Sequence, residues 1–224
     1  YEWFFGSGEY FTAGLFYKMI DKPIEANVNN NGSNDFQSFI NAPEATVYGA
    51  ELEFNKYFDP GFPADWWSGN RLYLATNYTW TQSEVNADEG DTVQPYGFAA
   101  PVAARLFVQD GSDLQGQSEH IANLQFGVEN EDKGLQATLI ANYVSERISA
   151  RGRPGQPAYM EDPGLSLDFV LRKTMRFGDT PVTLGLSARN ILDTEYHEYQ
   201  ERAGQKIHLN RYDPGVSWSA SISV

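Results

Sequence analysis

The sequence has no cysteine. That excludes disulfide frameworks, zinc–thiolate sites and thiol nucleophiles. Positive charge is also scarce: Lys and Arg total 16 against 30 Asp and Glu, a formal net charge of −14. Nucleic acid is thereby excluded as a partner, because phosphate binding needs a basic face. No apolar run approaches the roughly 20 residues of a membrane-spanning helix. Spanning by strands remains open, since alternating strands average out as polar. There is no G-x-S-x-G elbow, H-E-x-x-H pair, phosphate loop or G-x-G-x-x-G fingerprint. No catalytic residue, cofactor or enzyme activity is therefore expected.

What the chain does have is a period of two. Phe11, Ala13, Leu15, Tyr17 and Met19 share one face. Tyr48, Ala50, Leu52 and Phe54 form another, opposed by Gly49, Glu51, Glu53 and Asn55. The same alternation recurs at Leu72–Trp80, Ala122–Val128, Leu135–Tyr143, Leu165–Leu171, Val182–Ala188 and Val216–Val224. With the opening Tyr1-Glu2-Trp3-Phe4-Phe5, this predicts about nine strands, near the ten-residue length of a tilted spanning strand. The chain begins and ends within strand patterns, so it is expected to be a piece of something longer.

The connections alternate in length. Gly6–Glu9, Glu131–Gly134 and Phe177–Pro181 read as tight turns, with Asp59–Asn70 a longer member of that set. Asp21–Ala45, Gln82–Ser118, Arg147–Asp162 and Asp193–Arg211 are long. In an up-and-down antiparallel sheet this puts turns at one end and large loops at the other, as in outer-membrane barrels. Aromatics gather near strand ends: Trp3, Phe4, Phe5, Tyr57, Phe58, Trp66, Trp67, Trp80, Tyr143 and Trp218. Two interfacial girdles are expected from them.

Several motifs resemble one family. Phe16-Tyr17-Lys18, then Ile20 and Pro23-Ile24, is similar to its "FYK.I..PI" passage. Asn41-Ala42-Pro43 leading into Val47-Tyr48-Gly49-Ala50-Glu51-Leu52-Glu53 resembles "NA..A..YG.E.E". Gly116-Gln117-Ser118-Glu119-His120 resembles "PGQS.H", and Asn190-Ile191-Leu192-Asp193 with Tyr196 resembles "N.LD..Y". Tyr212-Asp213-Pro214-Gly215 with Trp218 is similar to "Y..PGR.F", with Val216 in place of the Arg. Together they resemble the C-terminal part of a TonB-dependent outer-membrane receptor. The resemblance implies an all-β fold, an antiparallel up-and-down transmembrane β-barrel. Residues 1–224 would supply about nine C-terminal strands of 22, with the plug domain and N-terminal strands outside them. It implies uptake of a scarce nutrient such as a ferric siderophore, cobalamin or carbohydrate. The implied partners are the TonB complex, reached through the plug, the ligand or chelate, outer-membrane lipid and lipopolysaccharide, and the barrel-assembly machinery. The implied location is the outer membrane of a Gram-negative bacterium. A small passive pore and a soluble all-β ligand-binding module are the alternatives.

Candidate ligand contacts are Arg147, Arg151 and Arg153 in one long loop, with Tyr159 nearby. Guanidinium groups suit carboxylates, phosphates or an anionic chelate. His197 and His208, in the last long loop, join the set as weak ligand candidates. Arg105, Arg202 and Arg211 are lesser members of the basic set. No metal site is expected: the three histidines lack ligand spacing. His120 is read as structural, and Asn27–Gly32 as a turn-rich loop rather than a calcium loop. Asp88, Glu89, Asp91, Asp110 and Asp113 read as a solvated acidic face.

Overall fold

A computed structural model describes residues 1–30, 32–62, 65 and 67–224. The chain opens with β1 (Glu2–Gly6) and β2 (Glu9–Asp21). The first long loop carries the hairpin β3 (Ile24–Asn30) and β4 (Asp35–Asn41), then returns to β5 (Glu44–Phe58) and β6 (Arg71–Asn86). The second loop holds β7 (Thr92–Val93), β8 (Val102–Ala103) and a 3-10 turn at Ala104–Leu106. After β9 (His120–Asn130) and β10 (Leu135–Val144), the third loop contains β11 (Arg147–Ala150) and β12 (Tyr159–Asp162). The chain closes with β13 (Gly164–Phe177), β14 (Thr180–Arg189), β15 (Tyr196–Arg202), β16 (Gln205–Tyr212) and β17 (Ser217–Ser223).

Nine strands form one antiparallel sheet, the wall, in the order β1-β2-β5-β6-β9-β10-β13-β14-β17. Successive wall strands are neighbours, as the alternation predicts. The register keeps the two faces separate from strand to strand. Leu52 pairs with Ala13 and Tyr78, Phe126 with Leu74 and Leu139, and Phe169 with Leu139 and Ala188. A slip of one residue would send every side chain to the opposite face, so this agreement fixes the register. The apolar face is left open: Leu15, Leu52, Phe126, Leu139 and Leu186 are all exposed. The polar face is knitted by short contacts. Tyr10 Oη donates to Glu53 at 2.6 Å, Asn123 Nδ2 to Asn77 Oδ1 at 2.7 Å, and the Ser187 and Ser219 hydroxyls meet at 2.7 Å.

Aromatic side chains gather at both ends of the apolar face, fewer of them than the composition suggests. Tyr17, Tyr48, Trp80, Tyr143 and Trp218 lie towards the long-loop end of the apolar face, and Trp3 and Phe58 towards the turn end. Phe4 pairs with Tyr10, and Tyr57 with Tyr73, on the polar face, so neither joins a belt. Trp66 lies outside the described residues, and Trp67 packs edge-on to Phe62 at 5.1 Å.

The largest departure from the sequence reading is in the loops, which are folded. Asn27–Asn30 is strand rather than turn: β3 and β4 pair from Ile24↔Asn41 to Asn30↔Asp35, while Asn31 lies outside the described residues. β11-β12-β15-β16 form a second sheet. Its order repeats that of β10-β13-β14-β17, the wall strands these segments adjoin, so it carries the wall outward. The buried core also sits at this end: Ile40, Ala42, Ala45, Val85, Ala87, Val93, Ala104, Phe107 and Val108 cluster there. A wall with an open apolar face cannot bury a core, so the apolar side chains that need covering are in the loops.

The "N.LD" motif acquires a mechanical reason. Asn190 (φ 53°) and Asp193 (φ 55°) are both left-handed, a conformation that Asn and Asp tolerate best among residues with a Cβ. The Asn190 N–H donates to Asp168 Oδ1 at 2.9 Å, and its Oδ1 accepts from the Thr194 N–H at 2.9 Å. The Asn190 side chain thus turns the chain out of β14, and the Asp168 side chain pins that turn to β13.

Candidate functional site

The sequence gathers three arginines into one loop; the structure gives each a different task. Arg151 directly follows β11, forms an isolated parallel bridge to Asn27, and is 3% exposed. Its Nε lies 2.5 Å from Glu25 Oε2 and its Nη2 2.8 Å from Glu25 Oε1. Nη2 also donates to the Asp113 carbonyl at 2.6 Å, and Nη1 to Ser112 Oγ at 3.0 Å. Glu25 is fully buried and accepts further from the Gln115 N–H at 3.1 Å. Backbone bonds run beside the pair, from the Arg151 N–H to the Ala26 carbonyl and from the Val28 N–H to the Arg151 carbonyl. The first three long loops therefore meet at one buried, bidentate ion pair. Such a pair must satisfy all its donors and acceptors, or desolvation exceeds the attraction. Here the surrounding carbonyl, hydroxyl and amide groups complete it.

Arg147 pairs with Glu161 across β11 and β12, and Tyr196 Oη donates to the other Glu161 oxygen at 2.9 Å. Burial, with Glu161 beside it, pushes the Tyr196 phenol up to about 12. Arg153 is half-exposed and pairs with Asp35, which also accepts from Asn30 Nδ2 at 2.6 Å. Asn30 first, and Arg153 second, hold the Asp35 carboxyl below the usual range.

Arg153 and Tyr159 do come together. With Pro154, Gln156, Gln200 and Arg202 they line a cleft of about 550 Å³ on the loop sheet. Tyr159 pairs with Gln200, whose Nε2 donates to the Pro157 carbonyl at 2.8 Å. Burial raises the Tyr159 phenol, so it presents a neutral hydroxyl. The lining therefore offers two guanidinium groups, two amides and a phenol. Those donors suit an oxygen-rich or anionic ligand. A second cleft, lined by Arg105, Phe107, Gln109 and Pro157, shares Gln156 with it.

His197 and His208 pack edge to face, 5.4 Å between ring centroids, on β15 and β16. His197 lies three residues along β15 from Gln200, about 10 Å at strand rise, so the histidines stand apart from the cleft. His197 Nε2 is 3.0 Å from Glu195 Oε2 and Arg211 Nη2 is 2.5 Å from the same oxygen. Among the described residues, no group of three His, Cys, Asp or Glu side chains could hold a metal ion. His120 stands at the start of β9 with Nδ1 2.8 Å from the Tyr78 hydroxyl. Arg105 lies near Glu89 and Asp110 in the second loop.

Sequence reasoning missed Glu25, Gln156 and Gln200. Nothing marks them in the chain: Glu25 is a lone carboxylate before an Asn-rich run, and the two Gln lie 44 positions apart. Gln156 sits in the basic loop itself without a motif around it, and only strand pairing brings Glu25 and Gln200 there.

Compared with known proteins, the chain matches the family described as TonB dependent receptor-like, beta-barrel, over residues 1–191. No curated protein and no solved structure matches it.

Proposed function

The chain belongs to the TonB-dependent receptor-like β-barrel family, and on that premise we propose a role for it. It forms the wall and outer loops of an outer-membrane receptor that takes up a scarce nutrient. The observation that carries this reading is the nine-strand antiparallel wall with one open apolar face and one hydrogen-bonded polar face. Lipid accepts strands only when every backbone group is paired. The outer edges of β1 and β17 are then paired by strands outside residues 1–224, in a barrel of 22. The turn end faces the periplasm and the loop end the cell exterior. A plug outside these residues fills the polar lumen and couples to the TonB complex.

The loop cleft is the ligand contact. Arg153, Arg202, Tyr159, Gln156 and Gln200 take the oxygen-rich face of the nutrient, an anionic ferric chelate fitting better than a neutral sugar. Arg151 and Arg147 hold the loops that present it, and His197 and His208 stiffen the neighbouring hairpin.

The test is uptake by cells producing the whole receptor. The probes are a ferric tricatecholate, a ferric hydroxamate, cyanocobalamin and maltotriose. Uptake of one of them, abolished by a protonophore, is expected. The Arg153→Ala, Arg202→Ala double variant should take up that probe at least tenfold more slowly. Uptake that survives the protonophore would replace the receptor with a passive pore. Unchanged uptake by the double variant would remove the cleft from the reading.

A further inference from the structure

At the turn end of the wall, the apolar face carries a groove of about 530 Å³ lined by Trp3, Phe5, Glu9, Phe11, Phe54 and Lys56. The register explains its composition. Trp3 pairs with Phe11 and Phe11 with Phe54, which makes a continuous aromatic row across β1, β2 and β5. Tyr10 pairs with Asn55, so Glu9 and Lys56 are opposed one step further towards the turn. Both therefore project from the apolar face. Lys56 Nζ stands 3.6 Å from Glu9 Oε2, 5.0 Å from the Phe5 ring centroid and 5.7 Å from that of Phe58.

A cation and an anion on a lipid-facing surface are costly in hydrocarbon and belong at its margin. Glu9 Oε1 accepts the Tyr57 N–H at 3.1 Å, so the carboxylate is held in place with its Oε2 turned to Lys56 and the groove. Their chemistry fits a ligand with a phosphate and an ammonium close together, above two acyl chains. The phosphate would take the Lys56 ammonium, and the ligand amine would take Glu9 and the ring faces. The chains would lie along Trp3, Phe11 and Phe54.

We propose that this groove is a specific binding site for a zwitterionic aminophospholipid of the periplasmic leaflet, phosphatidylethanolamine in chemical type. Glu9 is the selective element. A lone lysine would favour an anionic headgroup, whereas the Glu9 carboxylate repels one and attracts an amine. The site rests on the membrane-wall reading and is independent of the ligand cleft.

The experiment uses the whole receptor, purified in detergent and given equal phosphatidylethanolamine and phosphatidylglycerol. Retained lipid is measured by native mass spectrometry. The wild type should retain phosphatidylethanolamine at least threefold over phosphatidylglycerol. Glu9→Gln should reverse that preference. Lys56→Gln should lower retention of both, and Lys56→Arg should restore it. Equal retention of the two lipids by the wild type, or a preference unmoved by Glu9→Gln, would overturn the site. Each variant is first checked for a heat-modifiable band on gels. If the wild type lacks that band, the barrel reading itself fails. If the band is present without selectivity, only the lipid site fails.

Discussion

Tyr73 on β6 lies across Gly127 of β9, its directly opposed partner on the polar face. A Cβ placed on Gly127 would sit 2.7 Å from the Tyr73 ring and 2.5 Å from the Ala137 carbonyl. The phenol reaches past the glycine to the Thr138 hydroxyl on the next strand. Phe16 and Gly49 repeat the arrangement between β2 and β5, with a Cβ on Gly49 2.7 Å from the Phe16 ring. In both places a glycine leaves room for a ring to lie flat against the sheet, and the ring covers backbone the glycine would leave bare. These two glycines are spaces shaped for neighbours.

Gly127→Val should therefore destabilise the wall by about 1–3 kcal/mol, the usual range for overpacking a filled site. It should also break the Tyr73–Thr138 contact. Tyr73→Ala in the same background should recover the part of the loss that comes from the ring, leaving the part that comes from the Ala137 carbonyl. Urea titration of the receptor refolded into vesicles would measure both. If the two losses simply add, the ring and the glycine are uncoupled and the reading is wrong.

Breaking the buried clasp should cost more. Arg151→Met leaves Glu25 without its cation in a fully buried position, a loss of about 3–5 kcal/mol for pairs of this kind. The damage should be local. The wall has its own ladder of backbone bonds, so the loops should open while the barrel stays folded. Trypsin should cut after Arg147, and chymotrypsin after Phe36, in Arg151→Met and not in the wild type. The Glu25→Leu, Arg151→Met pair should be much less sensitive than the single variant. Equal sensitivity would assign the effect to lost packing, not to stranded charge.

The wall was legible in the sequence and the loop site only in part, through Arg153, Tyr159 and Arg202, for a physical reason. A strand with one face in lipid and one in a polar lumen must alternate at every residue, so runs such as Leu72–Trp80 announce the strand, its faces and its register. The turns are legible too, because Lys133-Gly134 and Gly178-Asp179 leave no length for anything else. The loops obey no such period. Asn27 and Asn29 look like turn formers, yet both are buried on β3, where Ser38 bridges them at 2.9 and 3.0 Å. Arg151 and Arg153 look equivalent in the chain. Pairing with Glu25, 126 positions away, buries the first, while Asp35 leaves the second half-exposed. No local pattern encodes a partner at that distance.

Face assignment predicts opposite responses to charge on neighbouring strands. Leu139 lies in the middle of β10 on the apolar face, between Phe126 and Phe169. Leu139→Arg should cost about 2–4 kcal/mol, the value for a cation at the bilayer midplane. Ser166, on the polar face of β13 opposite Asn142, should accept Arg at less than about 1 kcal/mol. Denaturant titration in vesicles compares them directly. A larger loss for Ser166→Arg would invert the faces.

The base of the β15–β16 hairpin should respond to acid. Glu195 faces Arg211 at 2.6 Å from Nε and His197 at 3.0 Å. Arg211 first, then His197, holds its carboxyl at about 2, against an ordinary 4.5. A carboxyl whose folded value is depressed binds its proton more readily when the chain opens. Its contribution is therefore complete above pH 4.5, and it declines as pH falls towards 2. The group is exposed, so the effect is modest and screened by salt. Amide exchange across residues 196–212 would read it, as the ratio of the Glu195→Gln variant to the wild type at matched pH, which cancels the intrinsic chemistry of exchange. The ratio should exceed one at pH 6 and fall towards one at pH 2, with the excess reduced in 1 M salt. A ratio of one at pH 6 would show that Glu195 does not hold the hairpin, and a ratio that grows on acidification would reverse the sign of the coupling.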